Sequence, residues 1–318
     1  MYSYQVLTWW LVLVGSVLLS MSRIIFCVAA MLGCLGVMAQ DLEPRRYAAL
    51  PTGMNALALG YGFSEGNIVA DAALPVEDFT LKTHMLIAGY AHTFGMWGKL
   101  ARVAVSLPFT ALAGDVKIQG RDTSISRAGF NDLQLRWGIN LLGSPAMDRK
   151  AFAKFRQGTI LGFSMVVNIP TGLYHNDKVV NTGSNRWAIK PEVGISQRIN
   201  RFYGELYTGV WFYAPNDEYL GHQVQRQEPV FSLQGHACYQ FRNTMWLSVD
   251  GTWFNGGQNF VDGRSRGELF DNWRVGATWS TPIAKGHSLK LQFHVGAFAT
   301  RGYDYNTVSL AYQYIFFR

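Results

Sequence analysis

The sequence predicts an all-β fold: a transmembrane, antiparallel, up-and-down β-barrel of roughly twelve strands. Alternation is the first observation behind this. From Trp187, the residues Ile189, Val193, Ile195 and Ile199 alternate with Arg186, Lys190, Glu192, Gly194, Ser196 and Arg198. After a turn at Asn200-Arg201 the pattern resumes, with Phe202, Leu206, Val210 and Phe212 against Tyr203, Glu205, Tyr207, Trp211 and Tyr213. Period-two patterning gives a strand one apolar and one polar face, and about ten tilted residues cross a bilayer. Composition is the second observation. Residues are 49% hydrophobic and only 15% charged, yet beyond the N-terminus no apolar run is long enough for a spanning helix. A closed barrel is the other structure that satisfies every backbone group in lipid.

The third observation is the parity of the connections. Ser64–Phe79, Ala113–Arg127, Thr171–Ser184, Pro215–Gln227 and Asn255–Gly267 are long, whereas Phe94–Lys99, Asn200-Arg201, Arg242-Asn243 and Thr281–Gly286 are tight. One-way insertion of a barrel leaves short periplasmic turns and longer external loops. A soluble sandwich has no reason to sort its loops this way.

Taken in order, residues 1–39 read as a signal segment: a basic Arg23, an apolar core, and Val37-Met38-Ala39 as a small-x-small cleavage site, with Met21 an alternative start. A helical hairpin anchor is the competing reading of the two apolar stretches. Residues 40–54 form a proline-bearing periplasmic lead-in or plug, and 55–318 the barrel. Strands are expected at Asn55–Phe63, Thr80–Phe94 (with Lys82 and His84 inward), Leu100–Phe109, Phe130–Leu142 and Thr159–Ile169. The Trp187–Tyr213 hairpin follows, then Glu228–Phe241, Met245–Phe254, Glu268–Ser280, Leu289–Ala297 and Tyr305–Phe317. Ser144–Gln157 suits a short amphipathic helix, with Ser144 as N-cap before Pro145. Trp97, Trp187, Trp273, Trp279, Tyr312, Tyr314 and Phe316 are placed as interfacial girdles.

Composition also excludes functions. The net charge is +7, but Lys and Arg are scattered along strands without a basic cluster, which argues against nucleic acid. Cys27 and Cys34 fall in the signal segment, leaving Cys238 alone, so neither a disulfide nor a CxxC metal site is expected. His84, His92, His222 and His294 lack metal-ligand spacing, and no Walker or dinucleotide fingerprint occurs. No cofactor is expected.

Several blocks carry a resemblance: LPTGMNALALGYGFSEG near Leu50, AGFNDLQLRWGINLLGSP near Ala128, VNIPTGLYHNDKVVNTGSNRWAIKPEVGISQ near Val167, then SLQGHACYQF, GHSLKLQF and TVSLAYQY. These resemble a bacterial family named for the meta-pathway of phenol degradation, whose members are described as outer-membrane transporters. The resemblance implies passive or facilitated uptake of a small hydrophobic or aromatic solute, and transfers no catalytic residues. Expected partners are outer-membrane lipid and lipopolysaccharide, the barrel assembly machinery and the solute. The chain ends IFFR rather than on an aromatic, so Phe316 or Phe317 must serve assembly.

The candidate site residues are the inward polar positions. Asp132, Arg136, Arg186, Lys190, Glu192, Glu205, Asp250 and Arg274 either form a selectivity network or cross-pair to fill a narrow lumen. We favour cross-pairing for most, because opposite charges recur at neighbouring depths. Tyr203, Tyr207, Trp211 and Tyr213 form an inward aromatic stripe that either holds an aromatic solute or fills space. Two rival classes remain: a structural or surface-interaction barrel with a packed lumen, and an outer-membrane hydrolase built on Ser232, His236 and Asp250.

Overall fold

The computed structural model describes residues 42–68, 76–118, 121–178, 180–266, 269–298 and 303–317. The expected signal segment, residues 1–39, lies outside them. The strands are β1 (Met54–Ile68), β2 (Val76–Met96), β3 (Lys99–Ile118), β4 (Arg121–Phe130), β5 (Leu133–Leu142), β6 (Thr159–Ile169), β7 (Ala188–Ile199) and β8 (Phe202–Tyr213). Then come β9 (Asn216–Tyr219), β10 (Gln223–Gln227), β11 (Val230–Gln240), β12 (Trp246–Gly256), β13 (Asn259–Val261), β14 (Arg264–Arg266), β15 (Phe270–Ala284), β16 (His287–Phe298) and β17 (Tyr303–Phe317).

The main sheet has thirteen strands and closes on itself through β2–β3 pairing. Strands β4 and β5 share one place against β3, the former on Phe109–Ile118 and the latter on Ala101–Ser106. The barrel is therefore twelve-stranded and antiparallel, with β17 returning to β1 so that Met54 faces Phe317 and Ile68 faces Tyr303. Closure leaves no edge to present unpaired backbone groups to lipid. The tight β2–β3 turn has positive φ at Trp97 (53°) and Gly98 (70°), the pairing that matches a hairpin's own twist.

Apolar side chains line the outside, as lipid demands: Leu59 is 59% exposed and Val249 65%. The interior is polar. Lys190, Glu192, Asp250 and Arg274 are each almost fully buried inside the barrel.

Four expectations need correction. First, the supposed loops Ser64–Phe79 and Ala113–Arg127 are largely strand, because β1–β4 run on past the length a bilayer requires. Apolar alternation fades there while the backbone ladder continues: Ser124 pairs with Asp115, and its hydroxyl also donates to the Asp115 carboxylate at 2.7 Å. Second, Phe130–Leu142 is not one strand; it breaks at Asn131-Asp132. Third, Lys82 and His84 point outward. Leu81, Thr83 and Met85 take the inner face, and Lys82 pairs with Glu65 while His84 bonds Tyr61. Fourth, helix α1 (Arg149–Lys154) is shorter than expected and capped by Asp148, not Ser144; Pro145 instead bridges to Lys99. The two loops Pro215–Gln227 and Asn255–Gly267 also carry the hairpin strands β9, β10, β13 and β14, which form a separate four-stranded sheet.

Candidate functional site

Residues 42–52 do not hang below the barrel; they run into its lumen. Five of these residues are tied to inward-facing strand positions, and Ala49 and Thr52 to the connection between β5 and β6. The Leu42 carbonyl accepts from Gln292 on β16 at 3.2 Å. The Arg45 amide donates to Glu205, and the Arg46 amide to the Tyr207 hydroxyl at 3.1 Å. Arg102 on β3 donates to the carbonyls of Arg46 and Ala48, and Asn140 on β5 to that of Tyr47 at 3.2 Å. The amide of Ala49 donates to Gln157, and that of Thr52 to the Met147 carbonyl. An irregular segment can be buried only if its backbone groups find partners, and inward-facing strand side chains supply most of those seen here, the β5–β6 connection the rest.

Tyr47 sits in a socket made by two glycines. Gly162 on β6 and Gly194 on β7 are directly opposed in register. A Cβ built on either would stand 2.1 Å from the Tyr47 ring. Glycine at both positions is what lets the ring lie flat on the barrel wall. Its far edge meets Tyr207 edge-on at 5.1 Å, and its hydroxyl bonds Ser164 and Glu192 at 3.0 and 3.1 Å. Replacing Gly162 with valine is expected to push this ring out, an overpacking cost of about 1–3 kcal/mol. Limited trypsin digestion should then cut after Arg45 or Arg46 in the variant and spare the parent.

Glu192 is the charge centre of the lumen. Arg46 grips both its oxygens at 2.6 and 2.7 Å, Lys190 lies at 3.1 Å, and Arg136 at 3.7 Å. The carboxylate is 1% exposed, so these cations act with little solvent screening. Each member of the predicted aromatic stripe carries a cation over its ring. Arg45 lies over Tyr203 (4.3 Å), Arg46 over Tyr207 (5.4 Å), Lys190 over Trp211 (5.1 Å) and Arg186 over Tyr213 (4.8 Å). Two of these four cations belong to the inserted segment.

The other predicted positions are placed differently. Asp132 does not offer a free lumen charge: at the β4–β5 break it accepts from the amides of Gly172 and Ser184, both at 3.0 Å, and so pins the long loop after β6. Arg186 belongs to that loop rather than to β7, which begins at Ala188. It donates to Gln227 at 2.6 Å. Asp250 takes His236 at 2.8 Å, Thr278 at 2.8 Å and Ser248 at 3.0 Å, and Arg274 stacks over Tyr305 at 4.0 Å. A His–Asp pair therefore exists, but Ser232, four residues from His236 along β11, donates across to the Gly209 carbonyl of β8 and not to His236. That arrangement does not assemble a serine triad.

The inserted segment divides the lumen. On the side of the long loops lies a cavity of about 600 Å³, floored by Leu42 and Glu43 and walled by β2, β3, β16 and the loop after β6. On the side of the tight turns lies one of about 380 Å³, lined by Arg45, Ala49, Phe152, Gln157, Arg198 and Tyr203 among others. Sequence reasoning did not single out Arg45, Arg46, Tyr47, Arg102 or the two socket glycines. One signal was available: Gly162 and Gly194 both fall on the inward phase, where a narrow lumen ordinarily calls for bulk.

A family profile described as "Putative MetA-pathway of phenol degradation" matches residues 61–312. The fold is similar to that of an outer membrane channel from Pseudomonas putida F1, with 19% identity, a TM-score of 0.71, and coverage of 87% of this chain and 100% of that one. It also resembles the beta domain of the Bordetella autotransporter BrkA, at 12% identity and a TM-score of 0.50, covering 83% of this chain and 100% of that one. No curated protein matches. The chain is an outer-membrane β-barrel.

Proposed function

The chain belongs to the family of the MetA pathway of phenol degradation, and from that premise we propose that it is an outer-membrane channel for small aromatic or hydrophobic solutes, held shut by residues 42–52. The observation that carries this reading is the division of the lumen into two cavities by a segment whose holds are side-chain contacts rather than strand pairing. Such a segment can withdraw without dismantling the barrel. Its withdrawal would join the cavities and uncover Tyr203 and Tyr207, the two rings it now covers.

The lumen's charge favours one sign. Inward Arg102, Arg136, Lys190, Arg274 and Lys290 outnumber Glu192, Glu205 and Asp250. A narrow, low-dielectric passage amplifies such an excess. Current through single barrels in a planar bilayer under a salt gradient is expected to reverse at a potential of the sign that marks anion preference. Phenol or an aromatic acid added to one side should block the openings. Cation preference, or openings indifferent to aromatic solutes, would sink this reading.

A second reading, a structural barrel with a packed lumen, draws on the buried network around Glu192. It expects silence whatever happens to residues 42–52.

A further inference from the structure

Building on the channel reading, we propose that the cavity above Leu42 and Glu43 is a binding site for an amphipathic aromatic carboxylate, with the carboxylate on Lys290 and Gln292 and the ring on the wall of β2 and β3. The cavity has two chemically distinct sides. Leu81, Met85 and Ile87 of β2 and Pro108 and Leu112 of β3 make one side apolar. On the other, β16 presents Lys290 and Gln292, two residues apart on its inner face.

The cations of this cavity are not equivalent. Lys178 is taken by Asp177 at 2.6 Å, and that contact holds the Asp177 carboxyl below its usual range. Arg186 donates to Gln227 and lies over Tyr213. Lys290 has no hydrogen bond or ion pair among the described residues. Of the cavity's two unspent-looking acids, Asp132 is held by Gly172 and Ser184, and Glu43 faces Arg46 at 3.8 Å. An ammonium inside a barrel without a counter-charge is a ready place for a bound anion.

The space between the two sides fits a ring. From β16 to β2 is three strand spacings, about 14 Å around the wall, which a lysine side chain and a carboxylated ring together can bridge. Of the strands between, β17 lines the cavity with the small side chains of Thr307 and Ser309 beside the ring of Tyr305. An inorganic anion would leave the apolar side unused, and a neutral arene would leave Lys290 uncompensated. Occupancy also bears on the segment below. Gln292 now donates to the Leu42 carbonyl, so a carboxylate that claims its amide removes one hold on residues 42–52.

The test is calorimetric titration of the refolded full chain in detergent with cinnamate, cinnamamide and acetate. Cinnamate is expected to bind at least tenfold more tightly than the other two, a difference of about 1.4 kcal/mol or more. Lys290→Gln should weaken cinnamate about tenfold and abolish its advantage over cinnamamide, while Lys290→Arg retains it. Arg198→Gln, in the other cavity, should change nothing. Equal binding of cinnamate and cinnamamide, or an unchanged affinity in Lys290→Gln, would overturn the site. Conductance of the barrel lacking residues 42–50, set beside cinnamate binding by the whole chain, separates this from the channel reading. A shortened barrel that conducts while the whole chain does not bind cinnamate removes the site alone, and a whole chain that binds cinnamate while the shortened barrel never conducts removes the channel alone.

Discussion

Replacing Glu192 with alanine is expected to be the most destabilising single change in the lumen, at about 3–5 kcal/mol. The carboxylate faces Arg46, Lys190 and Arg136 at once, and all four side chains are buried or nearly so. Removing it strands three positive charges in a site with little water. Tyr47 loses a hydrogen-bond acceptor in the same step. The cheapest relief is for Arg46 to leave the lumen and let water in, so part of the cost should appear as release of residues 42–52 rather than unfolding of the barrel. Urea unfolding in detergent micelles should show a lowered midpoint, and trypsin should gain access after Arg45 and Arg46. Glu192→Gln keeps the shape and one acceptor and should fall between the two. A variant as stable and as protease-resistant as the parent would mean that the cations are neutralised by something other than Glu192.

Deleting residues 42–50 is expected to turn a shut barrel into an open one. The strands do not depend on the segment for pairing, since every barrel strand is laddered to two strand neighbours, β4 and β5 together filling one place. Its removal takes away the bonds to Gln292, Glu205, Tyr207, Glu192 and Asn140 but leaves the wall intact. The cavities of about 600 and 380 Å³ then become continuous. Liposomes carrying the deleted chain should swell in small neutral sugars at least tenfold faster than those carrying the whole chain. The increase should persist when Tyr207 is replaced by phenylalanine, since its hydroxyl would no longer meet the segment.

Much of the barrel was legible in the sequence. Wherever one face meets lipid and the other water, alternation is imposed by the solvent pair, and β7, β8, β11 and β12 fall close to their expected limits. Legibility failed where that alternation fades. The upper parts of β1–β4 lose the apolar stripe, and so did the phase of β2, where Lys82 and His84 stand on the outer face beyond the apolar belt. The site was harder still. Inward phase identified Lys190, Glu192, Glu205 and Arg274 as lumen residues, because register alone decides which way a strand side chain points. What those residues bind is decided by residues far away in the chain: Arg46 meets Glu192 across 146 positions. No local pattern in Arg45-Arg46-Tyr47 announces that it belongs inside a barrel. Gly162 and Gly194 are meaningful only once β6 and β7 are in register and Tyr47 lies over both.

The central claim is that residues 42–52 close a passage that the barrel itself provides. It is tested most directly by recording single-channel currents from the whole chain and from the chain lacking residues 42–50, in the same bilayer and salt. The whole chain should be closed for most of the record, and the shortened one open, anion-preferring and blocked by cinnamate. Two silent barrels would contradict the account and leave the packed lumen as the whole structure. Two barrels that conduct alike would contradict it as well, because the passage would then run past the segment rather than through the space it fills.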